Sequence, residues 1–332
     1  MRKSTRSFLV MEADAGSRLD RYLTGVLGAS RAQVRKLLSG GGVAVDDRVV
    51  GSSSKGVPVT AGSRIEVARF RPPASQRPIP DPEAPLVVLA EGDGWIAVEK
   101  PSGTPVHPLA EEERGTLLNA LIARSPEILG VGEAGLRSGV VHRLDVETSG
   151  VLLFATREDR WRTLREAFRR RRVHKRYRAI VVGELAGDEE LVLHLSVARH
   201  RPARVRVRPA DAPGSRRTVL HWRAVESGGG ATLVEVEPVT GFLHQIRVAL
   251  AHLGHPVLGD AVYGAGGAPD APRQMLHAAA IGYREIGVRS PDPPDFRETL
   301  RRCGLQSVAR ATKRAGERCS PARSVRFTLN SE

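Results

Sequence analysis

The densest run of reactive side chains is His142-Arg143-Leu144-Asp145-Val146-Glu147-Thr148-Ser149-Gly150, which leads directly into Val151-Leu152-Leu153-Phe154-Ala155. The apolar run reads as a buried strand, so a charged loop feeds the core and Asp145 stands where solvent is restricted. A carboxylate in such a place either takes up a proton or finds a cationic hydrogen-bond partner. The same string also fits a plain turn, in which Asp145 caps the chain while Thr148 and Ser149 bind nearby backbone groups. A serine-hydrolase arrangement of His142, Asp145 and Ser149 is a further reading, weakened because all three lie within eight residues and no Gly-x-Ser-x-Gly elbow is present. His244, His252 and His255 come close to metal spacing, but no His-Glu-x-x-His accompanies them.

The elements that must position these groups occupy a chain of 332 residues, long enough for two domains or one with an appendage. Lys and Arg exceed Asp and Glu by 51 to 37, a net charge of +14, which points to a polyanionic partner. With 41% hydrophobic and 27% charged residues, most of the chain buries a core, and wholesale disorder is excluded. Cys303 and Cys319 are the two cysteines, and no Cys-x-x-Cys occurs, so neither a disulfide scaffold nor a cysteine-based zinc site is expected. Nothing reads as a signal peptide or membrane span, and a reduced, cytoplasmic, soluble and monomeric protein is the default expectation.

Residues 1–16 are expected to be a flexible N-terminus, and residues 17–70 two short helices followed by a small sheet. Leu19, Leu23, Val26 and Leu27 give one helix an apolar face that Gly28 can end. Ser30 opens a second, with Val34, Leu37 and Leu38 inward and Arg31, Arg35 and Lys36 elsewhere. Gly40, Gly41 and Gly42 break it, and Val43, Val45 and Val49 around Asp46-Asp47 predict a hairpin, with a further strand at 65–67. The cationic face alone fits a solvated helix. Arg18-Leu19-Asp20, Ser30-Arg31, Gly42-Val43-Ala44-Val45 and Ala61-Gly62-Ser63-Arg64-Ile65 together resemble an S4 domain, which implies a basic second helix presented to structured RNA.

Residues 71–85 hold six prolines in fifteen positions and read as a stiff linker. Beyond them, apolar alternation predicts strands at 86–89, 95–98, 150–155, 177–182, 191–197, 204–208 and 232–236, with helices at 115–123, 158–172 and 244–253. Several strands before each helix argue for an α+β catalytic domain over 86–300, built on a mixed, mostly antiparallel sheet. Residues 301–332 read as a flexible basic tail.

As a string, His142 to Gly150 resembles the signature of the RluA-type pseudouridine synthases, His-Arg-Leu-Asp, two variable residues, then Thr-Ser-Gly. The likeness continues in order through Asp93 to Gly103, Val106-His107-Pro108, His174-Lys175-Arg176-Tyr177, Thr240 to Arg247, Gly254 to Asp260 with Tyr263-Gly264, Leu276-His277-Ala278 and Pro291 to Phe296. It implies the pseudouridine synthase sheet, and an enzyme that breaks the N1 to C1′ bond of a uridine in RNA, turns the base and rejoins it through C5, without metal or organic cofactor. Asp145 falls on the catalytic aspartate, Tyr177 on the active-site tyrosine, and Arg247 on the arginine that pairs with the aspartate. Lys100 falls among the active-site surroundings. An S4 module with such a domain implies large-subunit ribosomal RNA as substrate, with transfer RNA as the other candidate.

Such chemistry needs an ionised carboxylate near the sugar, as nucleophile at C1′ or base at C2′, and in a dry pocket that carboxylate needs a paired guanidinium. Arg247 lies off the stripe Ile246, Leu250, Leu253, so it is expected on the helix flank, and by itself fits an exposed helix arginine. Tyr177 alternates with Lys175 and Ala179, where an aromatic commonly packs across strands; its ring could also stack on a turned-out base and its hydroxyl help remove the C5 proton. Residues 160–178 carry ten Lys or Arg and one acid, Glu166, while Arg199, Arg201, Arg204, Arg206 and Arg208 alternate along a strand. Both blocks suit phosphate tracking. The residues expected to contact RNA are Arg31, Arg35, Lys36, Lys100, Arg143, Arg169, Arg170 and Lys175. Two positions depart from the family pattern: Phe242-Leu243 stand where Arg-Thr is common, and Glu99 precedes Lys100 where Asn or Asp is usual. A basic RNA-binding factor without catalysis and a hydrolase using His142 and Ser149 are the alternatives.

Overall fold

In the computed structural model, which describes residues 5–68, 70, 75–200, 202–264 and 271–306, the chain divides into two units. The first comprises residues up to Glu147, Val151–Val173 and Gly282–Arg289; the second comprises Thr148–Gly150, His174–Ile281 and the residues from Ser290 onward. The division therefore does not fall at the Pro-rich segment. That segment is tied down rather than a free linker: Asp81 N donates to Asn119 O at 3.0 Å and Asn119 Nδ2 to Ile79 O at 2.7 Å.

The first unit opens with β1 (Thr5–Leu9), α1 (Leu19–Leu27), α2 (Arg31–Ser39), β2 (Val43–Val45), β3 (Arg48–Val50) and β4 (Arg64–Ala68). These form a four-stranded sheet in the order β1-β4-β2-β3, over a core of their own that includes Leu19, Leu23, Val34, Leu38, Ile65 and Val67. Ser30 and Gln33 make a reciprocal capping box at α2, and Gly28 ends α1 in the left-handed conformation at φ 60°. Asp46 and Asp47 both have positive φ, the geometry a two-residue hairpin turn requires. The expectation of a flexible N-terminus over 1–16 is corrected by β1, which pairs antiparallel with β4 and thereby satisfies backbone groups that β4 would otherwise expose.

The remainder of the first unit contains β5 (Val87–Gly92), β6 (Trp95–Lys100), α3 (Leu117–Arg124), most of β7 (Ser149–Ala155) and α4 (Glu158–Arg169). Ile96, Val98, Leu118, Leu121, Leu152 and Phe154 build its core, and all seven residues of β7 are buried, as a continuous apolar run demands.

The second unit is a large, mostly antiparallel sheet of β8 (His174–Val182), β9 (Asp188–His200), β10 (Ala203–Val207), β11 (Arg216–Gly228), β12 (Ala231–Pro238) and β13 (Leu276–Tyr283, to Ile281 in this unit), in the order β10-β9-β11-β12-β8-β13. β14 (Ile286–Arg289) belongs to the first unit, and α5 (Gln245–His252) and α6 (Pro294–Arg302) to the second. The α+β class expected from the sequence is the one observed. β11 escaped the sequence reading because its inward positions are contiguous at Thr218, Val219 and Leu220, with a register shift between Ala224 and Glu226, so no period of two survives. The flexible basic tail expected from 301 does not start there, since α6 runs to Arg302 and Leu305 is buried; residues 307–332 lie outside the described residues.

Candidate active site

In the first unit Asp145 sits half-buried on a loop gripped on both sides. Before it, His142 Nε2 accepts from Leu153 N at 3.0 Å, and its ring stacks on Phe168 at 4.7 Å. After it, Val146 O accepts from Gly103 N at 3.0 Å, and Ser102 Oγ bonds Glu147 O at 2.9 Å. The strongest clamp is Lys100, whose Nζ donates to Val146 O at 2.6 Å and to Pro101 O and Thr104 O at 2.8 Å each. Charge-assisted bonds of this kind contribute about 1.5–3 kcal/mol each, and they offset the desolvation of the ammonium. Lys100 is 0% exposed, so its expected RNA contact is corrected: a fully buried amine cannot reach phosphate, and its work is to hold the loop next to Asp145. Arg143, two residues before Asp145, is exposed. Glu99 lies half-buried on β6, where burial pushes its carboxyl up.

The Thr-Ser-Gly end of the run is an anchor in the second unit. Thr148 Oγ1 accepts from Gln274 Nε2 at 2.7 Å, and Ser149 Oγ lies 3.0 Å from His277 Nδ1 and accepts from Arg273 Nη2 at 3.1 Å. Gly150 has φ 119°, and a Cβ there would lie 2.3 Å from Ala278 O, so only glycine permits the parallel pairing with β13. Ser149 is 2% exposed and bonded on β13's side, which argues against a nucleophile.

Tyr177 and Arg247 both lie in the second unit. Tyr177 is half-buried on β8 opposite Val236. Arg247, expected on the helix flank, is buried at 6% exposure, because Asp260 draws it inward: Nε meets Oδ2 and Nη2 meets Oδ1, each at 2.7 Å. Burial pushes the Asp260 carboxyl up, but the hydrogen bonds and charge of Arg247, with the N–H groups of Val262 and Tyr263, hold it below the ordinary range. The Tyr263 ring lies 5.1 Å from the guanidinium, and its hydroxyl accepts from Val205 N and meets His244 Nδ1, both at 2.8 Å. Gln245 braces the preceding turn: its Oε1 accepts from Phe242 N and Thr240 Oγ1, and its Nε2 donates to Val219 O. The sequence reading quoted Asp260 and Tyr263 as motif matches but assigned them no role. An acid and an aromatic shortly after an arginine-bearing helix are the signal it passed over.

Lys175 shares a strand face with Tyr177 and donates to Thr240 O at 3.3 Å. Burial brings its amine down to about 8. Between that value and the ordinary lysine value of about 10.4, the unfolded chain binds the extra proton, so stability rises with pH across this window and the gain is complete above it. NMR of the ¹³C-methylated protein is expected to show one lysine titrating near pH 8, absent from Lys175→Met. A Lys175 midpoint near 10.4 would contradict the burial account.

With this geometry in view, the comparisons with known proteins are decisive. The RNA pseudouridylate synthase family matches residues 94–252. An RNA pseudouridine synthase of Chloroflexus aurantiacus is 37% identical over 313 residues, spanning 89% of this chain and 93% of that one. The chain belongs to the RluA-type RNA pseudouridine synthases. The ribosomal large subunit pseudouridine synthase D of Xylella fastidiosa is 32% identical over 89% of this chain and 92% of its own length. The solved structure of human RNA pseudouridylate synthase domain containing 4 shares the fold, with a TM-score of 0.55 at 23% identity, over 67% of this chain and 94% of that one.

In this synthase Arg31, Arg35 and Lys36 are exposed on α2. Arg169 and Arg170 are exposed as well, but both bond Glu166, and their hydrogen bonds hold that carboxyl down to about 2. Arg162 pairs with Glu158 one helical turn away and Arg160 with the distant Glu285, so the arginines of α4 are neutralised by acids of the same helix and by one folded onto it. His255 Nδ1 lies 2.9 Å from Val182 O, and among the described residues no group of three His, Cys, Asp or Glu could hold a metal.

Proposed function

We propose that this synthase converts uridine to pseudouridine in large-subunit ribosomal RNA, with Asp145, Tyr177 and Arg247 as its catalytic residues. The observation that carries the proposal is the clamped loop: Lys100, Ser102 and Gly103 fix the backbone immediately after Asp145, and His142 fixes it before, so a half-buried carboxylate is carried on a backbone that is held still. Such preorganisation is what attack on a glycosidic carbon requires. Asp145 acts as nucleophile at C1′ or base at C2′ and the N1–C1′ bond breaks. The uracil anion turns, and C5 bonds C1′ as the Asp145–C1′ bond breaks or, on the base route, as Asp145 returns the C2′ proton; Tyr177 then helps remove the C5 proton while N1 takes one up, so the atoms balance without a co-reactant. Arg247 is the guanidinium of the catalytic set, and Asp260 positions it through two hydrogen bonds. Ribosomal RNA is favoured by the names of the Xylella relative and its like, and by the exposed basic face of the S4-like α2.

The test is release of tritium from RNA labelled at uridine C5, comparing large-subunit ribosomal RNA with transfer RNA. Release from the ribosomal substrate is expected; release from transfer RNA alone would overturn the substrate assignment.

A further inference from the structure

Phe242 departs from the family pattern, and its surroundings suggest why. It lines a cleft of about 430 Å³ in the second unit together with Arg206, Arg208, Arg216 and Ser196. Phe242 is half-buried, packing partly on the core beneath the sheet, and its backbone is held by Gln245. Arg206 and Arg208 stand at and just past the end of β10 and Arg216 at the start of β11. The opposite rim is shaped by a tight turn in which Ala212 N donates to Pro209 O, Ser215 N to Ala212 O, and Ser215 Oγ to Ala210 O. The cleft is thus built before any ligand arrives, and its size falls within the range of about 300–1,000 Å³ common for ligand sites.

Its charge is the second clue. On α4 the arginines at 160, 162, 169 and 170 each meet a carboxylate. None of Arg206, Arg208 and Arg216 has a carboxylate within ion-pair distance among the described residues, although each could have been neutralised in the same way. Three guanidiniums around one concavity repel one another unless an anion lies between them. An aromatic ring beside them adds a flat apolar surface of the kind on which a base stacks.

We propose that this cleft holds one nucleotide of the RNA strand flanking the target uridine, with its base on Phe242 and its phosphates on Arg206, Arg208 and Arg216. The assignment rests on the reading of the chain as a ribosomal RNA modifier, and adds to it a contact in which an aromatic side chain takes the place of a cation.

Binding of a short single-stranded oligouridylate to the full chain, followed by fluorescence anisotropy across a salt series, tests it. Replacing all three arginines with alanine is expected to weaken binding about 10- to 100-fold and to flatten the dependence of log Kd on log salt by about 1.4, as loss of the two phosphates that flank one nucleotide of a single strand requires. Phe242→Leu, which keeps the apolar contact with the core, is expected to weaken binding about fivefold or more with the salt slope unchanged. An unchanged Kd and slope in the triple variant would overturn the assignment. So would polyglutamate competing as well as the RNA, since that marks a surface for acidic protein. If the wild-type chain binds through this cleft yet releases no tritium from ribosomal RNA, the proposed substrate fails while the cleft stands; release at the wild-type rate and affinity in both variants has the opposite meaning.

Discussion

Asp145→Asn is expected to lower tritium release from C5-labelled ribosomal RNA by at least about 10⁴-fold while leaving RNA affinity within about threefold of wild type. The size follows from the role. A group that bonds the reacting carbon or takes its neighbour's proton has no substitute in an amide, and removal of comparable nucleophiles or bases costs about 10⁴ to 10⁶ in turnover. Affinity persists because most of it comes from phosphate contacts made by exposed arginines and lysines elsewhere. The change is also structurally mild. The loop is held through the backbone of Val146 and Glu147 and through His142, and the amide has the shape of the carboxylate it replaces, so the fold should melt as wild type does. Continued release from the Asn variant would remove Asp145 from the chemistry and leave its loop as a structural element only.

The second large effect is expected at Asp260. Asp260→Ala leaves the buried guanidinium of Arg247 without the carboxylate that holds its Nε and Nη2, and breaking a buried pair by deleting one partner costs about 3–5 kcal/mol. Denaturant unfolding of the variant should show that loss in the unit that contains α5, and turnover should fall with it because the arginine is no longer aimed. The dependence on pH follows from the sign of the shift. Asp260 is held below its unfolded value of about 3.9, so the stabilisation is present above that pH and disappears as pH falls through the lower folded value. The stability gap between wild type and variant should therefore be constant from neutral pH to about 4 and close below it. A gap that closed near neutrality, or a variant as stable as wild type, would mean that Arg247 is held by something else.

Much of the fold was legible because the relevant signals are local. The capping box at Ser30, the left-handed glycine at Gly28, the Asp46-Asp47 turn and the apolar run of β7 each depend on residues within one or two turns of chain, and each element appears where its pattern places it. The candidate chemistry was legible for a similar reason: Asp145 and the residues that frame it form one continuous string whose order is distinctive. β1 was missed because its partner β4 lies far along the chain, and β11 because contiguous inward residues and a register shift break its alternation even though β12 follows it directly.

By itself, then, the amino-acid order determined the class of fold, the family likeness and the string that carries the reactive carboxylate, since these rest on neighbours in sequence. Tertiary structure alone decided what each cation is for. Lys100 and Arg247 look like any surface charge in the sequence, yet burial against carbonyls in one case and against Asp260 in the other turns them into fasteners. Arg169 and Arg170 look like a phosphate track, yet share Glu166, whereas Arg206, Arg208 and Arg216 line one cleft with no carboxylate at ion-pair distance among the described residues. The physical reason is that a charge acts through whatever stands within a few ångströms: for Arg169 and Arg170 that is an acid one helical turn away, but for Lys100 and Arg247 it is a group the fold brings from further along the chain.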